Sequence, residues 1–360
     1  MADRLRVLVA GWLNSPHVVS WAAGVAEAGH EVHLVGRPTP QWPPVKPGAT
    51  VHVLRSDGLP LVRSLRMSTD LARVAATVEP DLVHAHWLPE FGWMAAREHL
   101  APLICSAWGS DVFGVSGLGR RRSLRALRAA DVVLADSEDL ARATRALGGP
   151  AVRVEVARWG LDLDRYSPGE PRAARRSLGL PEDEPLVLSV RGFGQIYNPL
   201  VLVEAIALLR RPARLVFKHP GGQVPDEVER AIERLGLRDR VTVIGNLDAD
   251  RMPDVYRAAS IVVSLASTDS SPRSVWEALA CGRPVVVSDL AWARDELAPP
   301  GAAELVAIEP AAVAEAIART LDDGAGARTM AEQGRALALA NLDPSTCAAR
   351  IDALYREIAA

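Results

Sequence analysis

The chain has 360 residues, 49% of them apolar and 24% charged, which suits an ordinary water-exposed protein with two buried cores. Its formal net charge of −3 gives no electrostatic case for nucleic acid as a bulk partner. Lysine occurs only as Lys46 and Lys218, so Schiff-base chemistry has few candidates. The three scattered cysteines, Cys105, Cys281 and Cys347, argue against a disulfide framework or a zinc site.

The first apolar run, Arg4–Ala10, is too short for a signal peptide and is soon interrupted by Asn14, Ser15, Pro16 and His17. A cytoplasmic protein is expected. Short β-rich runs then alternate with amphipathic helical stretches. Strands are predicted at Arg6–Ala10, Glu31–Val35, Val51–Leu54, Leu82–Ala85, Leu103–Ser106, Val132–Ala135 and Val152–Val156. A Pro- and charge-rich stretch, Ser167–Pro185, follows. The series restarts with Leu186–Val190, Arg214–Phe217, Val241–Ile244, Ile261–Leu265 and Pro284–Val287.

Helical spacing marks Leu61–Thr77, Leu200–Leu209, Asp226–Leu235 and the last segment, Pro344–Ala360. Alternation of this kind predicts parallel sheets covered on both faces. The expected architecture is α/β, with two Rossmann-like domains over 1–170 and 171–342. The tail, 343–360, is expected to return to the N-terminal domain. Ligands of such sheets bind beyond the carboxyl ends of the strands, so the residues just after each strand are the ones to inspect.

The most informative of these follow Ile261–Leu265. Asp269 lies in the loop, Ser271 is a good N-cap, and Pro272 suits the first helical position. The helix is expected to stop at Gly282. Its free N–H groups at the carboxyl edge could hold a phosphate. Asp269 sits outside this end and Glu277 well inside it, about 10 Å apart at 1.5 Å per residue. That spacing fits two ends of a nucleotide diphosphate sugar better than two carboxylates on one bond.

From Asp269 to Val286 the chain resembles the signature of glycosyltransferase family 4, enzymes of the GT-B fold. The match is an acid, seven residues, then Glu277-Ala278-Leu279-Ala280-Cys281-Gly282-Arg283-Pro284-Val285-Val286. The resemblance implies two domains facing across a cleft. It also implies that Glu277 holds ribose and that Asp269 meets the transferred sugar, with Ser270, Arg273 and Ser274 on the same donor-binding turn. The family's first acid is usually Glu, so Asp269 is a departure.

Arg191, after Leu186–Val190, matches the family's phosphate-gripping Arg, while Asn198 stands where its Lys is expected. Lys218 could supply that charge or be a solvated strand-end lysine. Asn246, in the Gly245-Asn246 pair, is a candidate base contact or a turn residue.

In the first half, Asp81-Leu82-Val83-His84-Ala85-His86 and Trp108-Gly109-Ser110-Asp111 resemble family phrases, the latter with Trp108 in place of His. These phrases suggest His86 and Trp108 on the acceptor side and Asp111 as a catalytic candidate; His17, in the Gly11–His17 loop after the first strand, is a further catalytic candidate that could face the cleft. His84 reads as a core histidine, and loop capping is an equal reading of His17.

The resemblance implies a retaining transferase that needs neither metal nor cofactor, with a nucleotide-sugar donor and a small-molecule, glycan or lipid-linked acceptor. Asp162-Leu163-Asp164 and Asp248-Ala249-Asp250 have a metal-binding form but read as structural. The run Arg120, Arg121, Arg122, Arg125, Arg128 reads as a solvated face, with an anionic acceptor or peripheral contact at the inner membrane face as the alternative. An epimerase or hydrolase on the same fold, and a non-catalytic sugar-nucleotide binder, are the rival functions.

Overall fold

The computed structural model describes residues 4–39 and 49–360; Lys46 lies outside the described residues. The chain forms two compact units, one of Met1–Gly160 with Pro344–Ala360, the other of Leu161–Asp343. Residues 161–170 therefore lie with the second unit, although the sequence places them with the first domain. The reason is packing. Leu161 and Tyr166 are buried in the same core as Trp276 and Leu342, and the Leu161 N–H donates to the Leu342 carbonyl at 3.0 Å.

The first unit holds seven parallel strands: β1 (Arg6–Trp12), β2 (Glu31–Arg37), β3 (Thr50–Val53), β4 (Leu82–His86), β5 (Leu103–Ser106), β6 (Val132–Ala135) and β7 (Val154–Val156). Their order is β3-β2-β1-β4-β5-β6-β7. The second unit holds β8 (Leu186–Ser189), β9 (Arg214–Lys218), β10 (Val241–Ile244), β11 (Ile261–Ser264), β12 (Val285–Ser288) and β13 (Glu304–Val306), in the order β10-β9-β8-β11-β12-β13. Both sheets have Rossmann topology, and the order reverses between β1 and β4 and between β8 and β11. Crevices at such reversals are where α/β sheets bind ligands.

Helices cover both faces, so central strands are continuous apolar runs; Val7 through Ala10 are wholly buried. Every predicted strand occurs. β13 was not predicted, because three residues beginning with Glu304 are too few to show a period.

The last helix, Pro344–Ala359, seats Ile351 and Tyr355 in the first unit's core. There Trp21 Nε1 donates to the Tyr355 hydroxyl at 2.7 Å, and that hydroxyl also bonds His84 Nδ1. His84 Nε2 meets Ser106 Oγ at 2.8 Å, so this histidine is a satisfied core residue. Removing the hydroxyl strands two buried polar atoms, each costing about 1–3 kcal/mol. Tyr355→Phe is thus expected to destabilise the first unit by about 2–6 kcal/mol. Urea unfolding followed by tryptophan fluorescence measures it, and an unchanged midpoint would refute this account of the tail.

Candidate active site

In the second unit the site forms at the β8/β11 reversal. Arg191 follows β8 and Asp269 follows β11, so the sheet order brings together two residues 78 positions apart. Arg191 Nη2 donates to Asp269 Oδ2 at 2.7 Å, and Nη1 donates to Ser274 Oγ at 3.2 Å. The guanidinium lies 4.5 Å from the centre of the Tyr197 ring. Its Nε is buried without a hydrogen-bond partner among the described residues. Burial raises the Asp269 pKa, while Arg191 and the Ser270 N–H, which donates at 3.0 Å, pull against that rise.

The helix after Asp269 runs Arg273–Ala280. The sequence makes Ser271 its cap and Pro272 its first residue; instead Pro272 is the cap position and the helix begins at Arg273. Ser271 adopts a left-handed φ of 43° and faces away, its hydroxyl accepting from Trp276 Nε1 at 2.8 Å and donating to Glu296 at 3.1 Å. The far end closes as expected on Gly282, at φ 64°, where Gly282 N–H reaches the Leu279 carbonyl and Arg283 N–H that of Ala278.

Glu277 has partners of its own. Tyr256 donates to one oxygen at 2.7 Å and Arg273 to the other at 3.0 Å. Asp269 and Glu277 therefore share no partner and sit in separate electrostatic settings.

Lys218 ends β9, is 9% exposed, and carries no ion pair among the described residues; burial lowers its pKa. It is not the solvated lysine that one sequence reading allowed. Asn198 is a different matter. Its amide nitrogen donates to the Leu265 carbonyl at 2.9 Å and Ser267 Oγ at 2.8 Å, pinning the loop after β8 to the loop after β11. That amide is engaged by the loop itself and supplies no charge. Asn246 is exposed after β10, in a loop held by the close approach of Gly245 and Gly222 (φ 69°); a Cβ on Gly222 would lie 3.3 Å from Gly245 Cα.

At the β1/β4 reversal of the first unit, His17 is exposed and its ring is 5.5 Å from Trp108. His86 is 2% exposed, its Nε2 has no partner among the described residues, and burial, with a smaller push from His17, lowers its pKa to about 3. Asp111 lies out of solvent. It is wholly buried, its carboxylate accepting from the Leu88 N–H at 3.0 Å and the Trp108 N–H at 2.8 Å. Burial pushes its pKa up to about 6 against those donors. Its carboxylate positions the backbone at Leu88 and Trp108.

Residues 171–337 match the family model described as glycosyl transferases group 1, and residues 15–160 match the glycosyl transferase 4-like domain. A D-inositol 3-phosphate glycosyltransferase of Catenulispora acidiphila is 32% identical over 355 residues, covering 87% of this chain and 82% of that protein.

The chain is a family 4 glycosyltransferase.

The D-inositol 3-phosphate glycosyltransferase of Mycobacterium tuberculosis is 30% identical over 309 residues, and the match covers 78% of this enzyme and 64% of that one. The fold is that of GT-B glycosyltransferases. Sucrose-phosphate synthase from Thermosynechococcus elongatus superposes with a TM-score of 0.86 at 22% identity, covering 98% of this chain and 99% of that one. Anabaena HepE in complex with UDP-glucose gives 0.82 at 20% identity, covering 98% and 100%.

Three residues of the candidate site were not picked out from sequence. Tyr197 backs Arg191, and Tyr256 holds Glu277. His219 follows Lys218, with a buried Nδ1 that has no hydrogen-bond partner among the described residues and its ring 4.8 Å from Phe193. The His219-Pro220-Gly221-Gly222 turn was a signal for His219; nothing local marks Tyr256.

Proposed function

We propose that this glycosyltransferase takes its sugar from a nucleoside-diphosphate donor, holds that donor in the second unit, and transfers the sugar with retention and without a metal. The observation that carries the reading is Arg191 at the β8/β11 reversal. It is oriented by Asp269, Ser274 and Tyr197, which engage two of its five N–H donors among the described residues, and is preorganised for a diphosphate. Lys218 adds a second cation at the end of the neighbouring strand. HepE, solved with UDP-glucose, shares the fold and supports a donor of this class.

In this reading Glu277 takes the ribose, and Asp269 faces the sugar carbon where positive charge develops. Arg191, with Lys218 and the N–H groups of Arg273 and Ser274, stabilises the leaving diphosphate, one oxygen of which accepts the acceptor's proton. Catalysis is then positioning plus electrostatic stabilisation. His17, His86 and Trp108 form the acceptor side. The relatives named for D-inositol 3-phosphate make a phosphorylated cyclitol the first acceptor to try.

A thermal-shift panel of nucleoside diphosphates, then of their sugars, tests the donor class. A ligand at 100 times its Kd stabilises by about 2.7 kcal/mol. Silence across the whole panel would refute the proposal.

Turnover is expected to survive excess EDTA. The two Asp-x-Asp segments have other work: Asp162 accepts from the Arg165 N–H at 3.0 Å, and Asp250 pairs with Arg165 at 3.1 Å. Activity that vanishes on chelation and returns with Mg²⁺ or Mn²⁺ would reverse this expectation.

A further inference from the structure

The helix Gly117–Ala129 carries Arg120, Arg121, Arg122, Arg125 and Arg128 and contains no acid. Surface arginines elsewhere commonly sit on carboxylates, as Arg55 does on Asp70 and Arg238 on Glu229. Here Arg122 lies 4.2 Å over the Trp93 ring, and the other four have no ion pair among the described residues. Concentrated like charge without counter-charge opposes folding through self-repulsion, so its presence calls for a partner.

Helical geometry orders this charge. The helix buries Ser123, Ala126 and Leu127. Leu118, Arg121, Arg125 and Arg128, at spacings of three, four and three, then form one outward ridge along the whole helix. Beside the ridge runs an open groove of about 410 Å³ lined by His99, Arg121, Leu124, Arg125 and Arg128. Leu118, at the ridge's first turn, is 59% exposed.

A second exposed apolar group lies in the same helical layer. The helix Pro60–Val78 and the helix Gly117–Ala129 both pack on the helix Trp93–Arg97. Each follows a parallel strand and so begins at the carboxyl edge of the sheet. Leu59 (75% exposed) and Val62 (42%) stand at that end of Pro60–Val78.

We propose that this layer is a docking surface for an anionic lipid membrane. The arginine ridge engages headgroup phosphates, and Leu118, with Leu59 and Val62, enters the interface at the apolar end. Charge complementarity selects an anionic partner. The exposed apolar side chains favour a lipid surface over nucleic acid.

Vesicle co-sedimentation with the full chain tests this, without needing turnover. Wild-type protein is expected to bind vesicles of phosphatidylcholine with phosphatidylglycerol, not phosphatidylcholine alone, and to lose binding in 1 M NaCl, where the Debye length is about 3 Å. Arg121→Gln/Arg125→Gln/Arg128→Gln should cut partitioning about a hundredfold. Leu118→Ala should weaken it without changing its salt dependence. The control is Arg210→Gln/Arg230→Gln/Arg328→Gln, which removes the same charge from exposed, unpaired arginines of the second unit and should leave binding intact. Equal losses in the two triple variants, equal binding to neutral vesicles, or no vesicle binding would each overturn the proposal. So would retention on duplex DNA without vesicle binding.

Discussion

Asp269→Asn is expected to lower kcat by about a hundredfold or more, the loss typical of one preorganised electrostatic group, while Glu277→Gln leaves kcat nearly unchanged and raises the donor KM. The contrast follows from where the two acids sit. Glu277 lies about one turn into its helix, held by Tyr256 and Arg273 with acceptor capacity to spare. Ribose contacts are much alike in ground and transition states, so weakening them removes uniform binding. One charged hydrogen bond is worth about 1.5–3 kcal/mol, or roughly ten- to a hundredfold in KM.

Asp269 sits at the loop end beside Arg191, where, on the proposed reading, the diphosphate lies and charge changes during transfer. Its raised pKa gives a second signature. The catalytic form is the carboxylate, so activity is expected to fall as pH drops through this raised value. Asp269→Asn should flatten that acid limb, and Glu277→Gln should keep it. Steady-state kinetics of both variants at saturating acceptor, with melting temperatures as the folding control, measure the split. A wild-type kcat in Asp269→Asn would remove Asp269 from the chemistry.

Arg191→Ala is expected to abolish most of the thermal shift produced by a nucleoside diphosphate. A guanidinium that makes two charge-assisted bonds to phosphate contributes about 3 kcal/mol or more, so the Kd should rise by at least about a hundredfold. The structure adds a consequence that sequence did not offer. Arg191 also holds Asp269, so its loss leaves a buried carboxylate without its cation and raises the Asp269 pKa further. The acid limb of the pH profile should therefore move to higher pH in Arg191→Ala, in the residual activity at high donor. Arg191→Lys should not restore either property in full, because an ammonium cannot span Asp269 and Ser274 while stacking on Tyr197. An unchanged nucleotide shift in Arg191→Ala would remove Arg191 from the donor site.

The fold was legible because a strand buried on both faces is written as a local run. Val7-Leu8-Val9-Ala10 and Ile261-Val262-Val263 announce themselves without reference to the rest of the chain. The Asp269–Val286 signature was legible for a similar reason: one loop and one helix hold its two acids, a Gly282 terminator and a strand in fixed register. Those features determined the architecture and the enzyme class.

What tertiary structure alone decided is pairing across distance. Sequence offered Arg191 and Asp269 as separate contacts; the strand order of the second sheet makes them a 2.7 Å ion pair. Sequence placed Asp111 among catalytic candidates; burial makes it a support for Trp108 and Leu88. Ser271 had the right residue type for a cap, yet Trp276 and Glu296 compete for its hydroxyl and win. In each case the deciding partner is fixed by packing between elements, and local residue order carries no record of which buried polar group will find which partner once water is excluded.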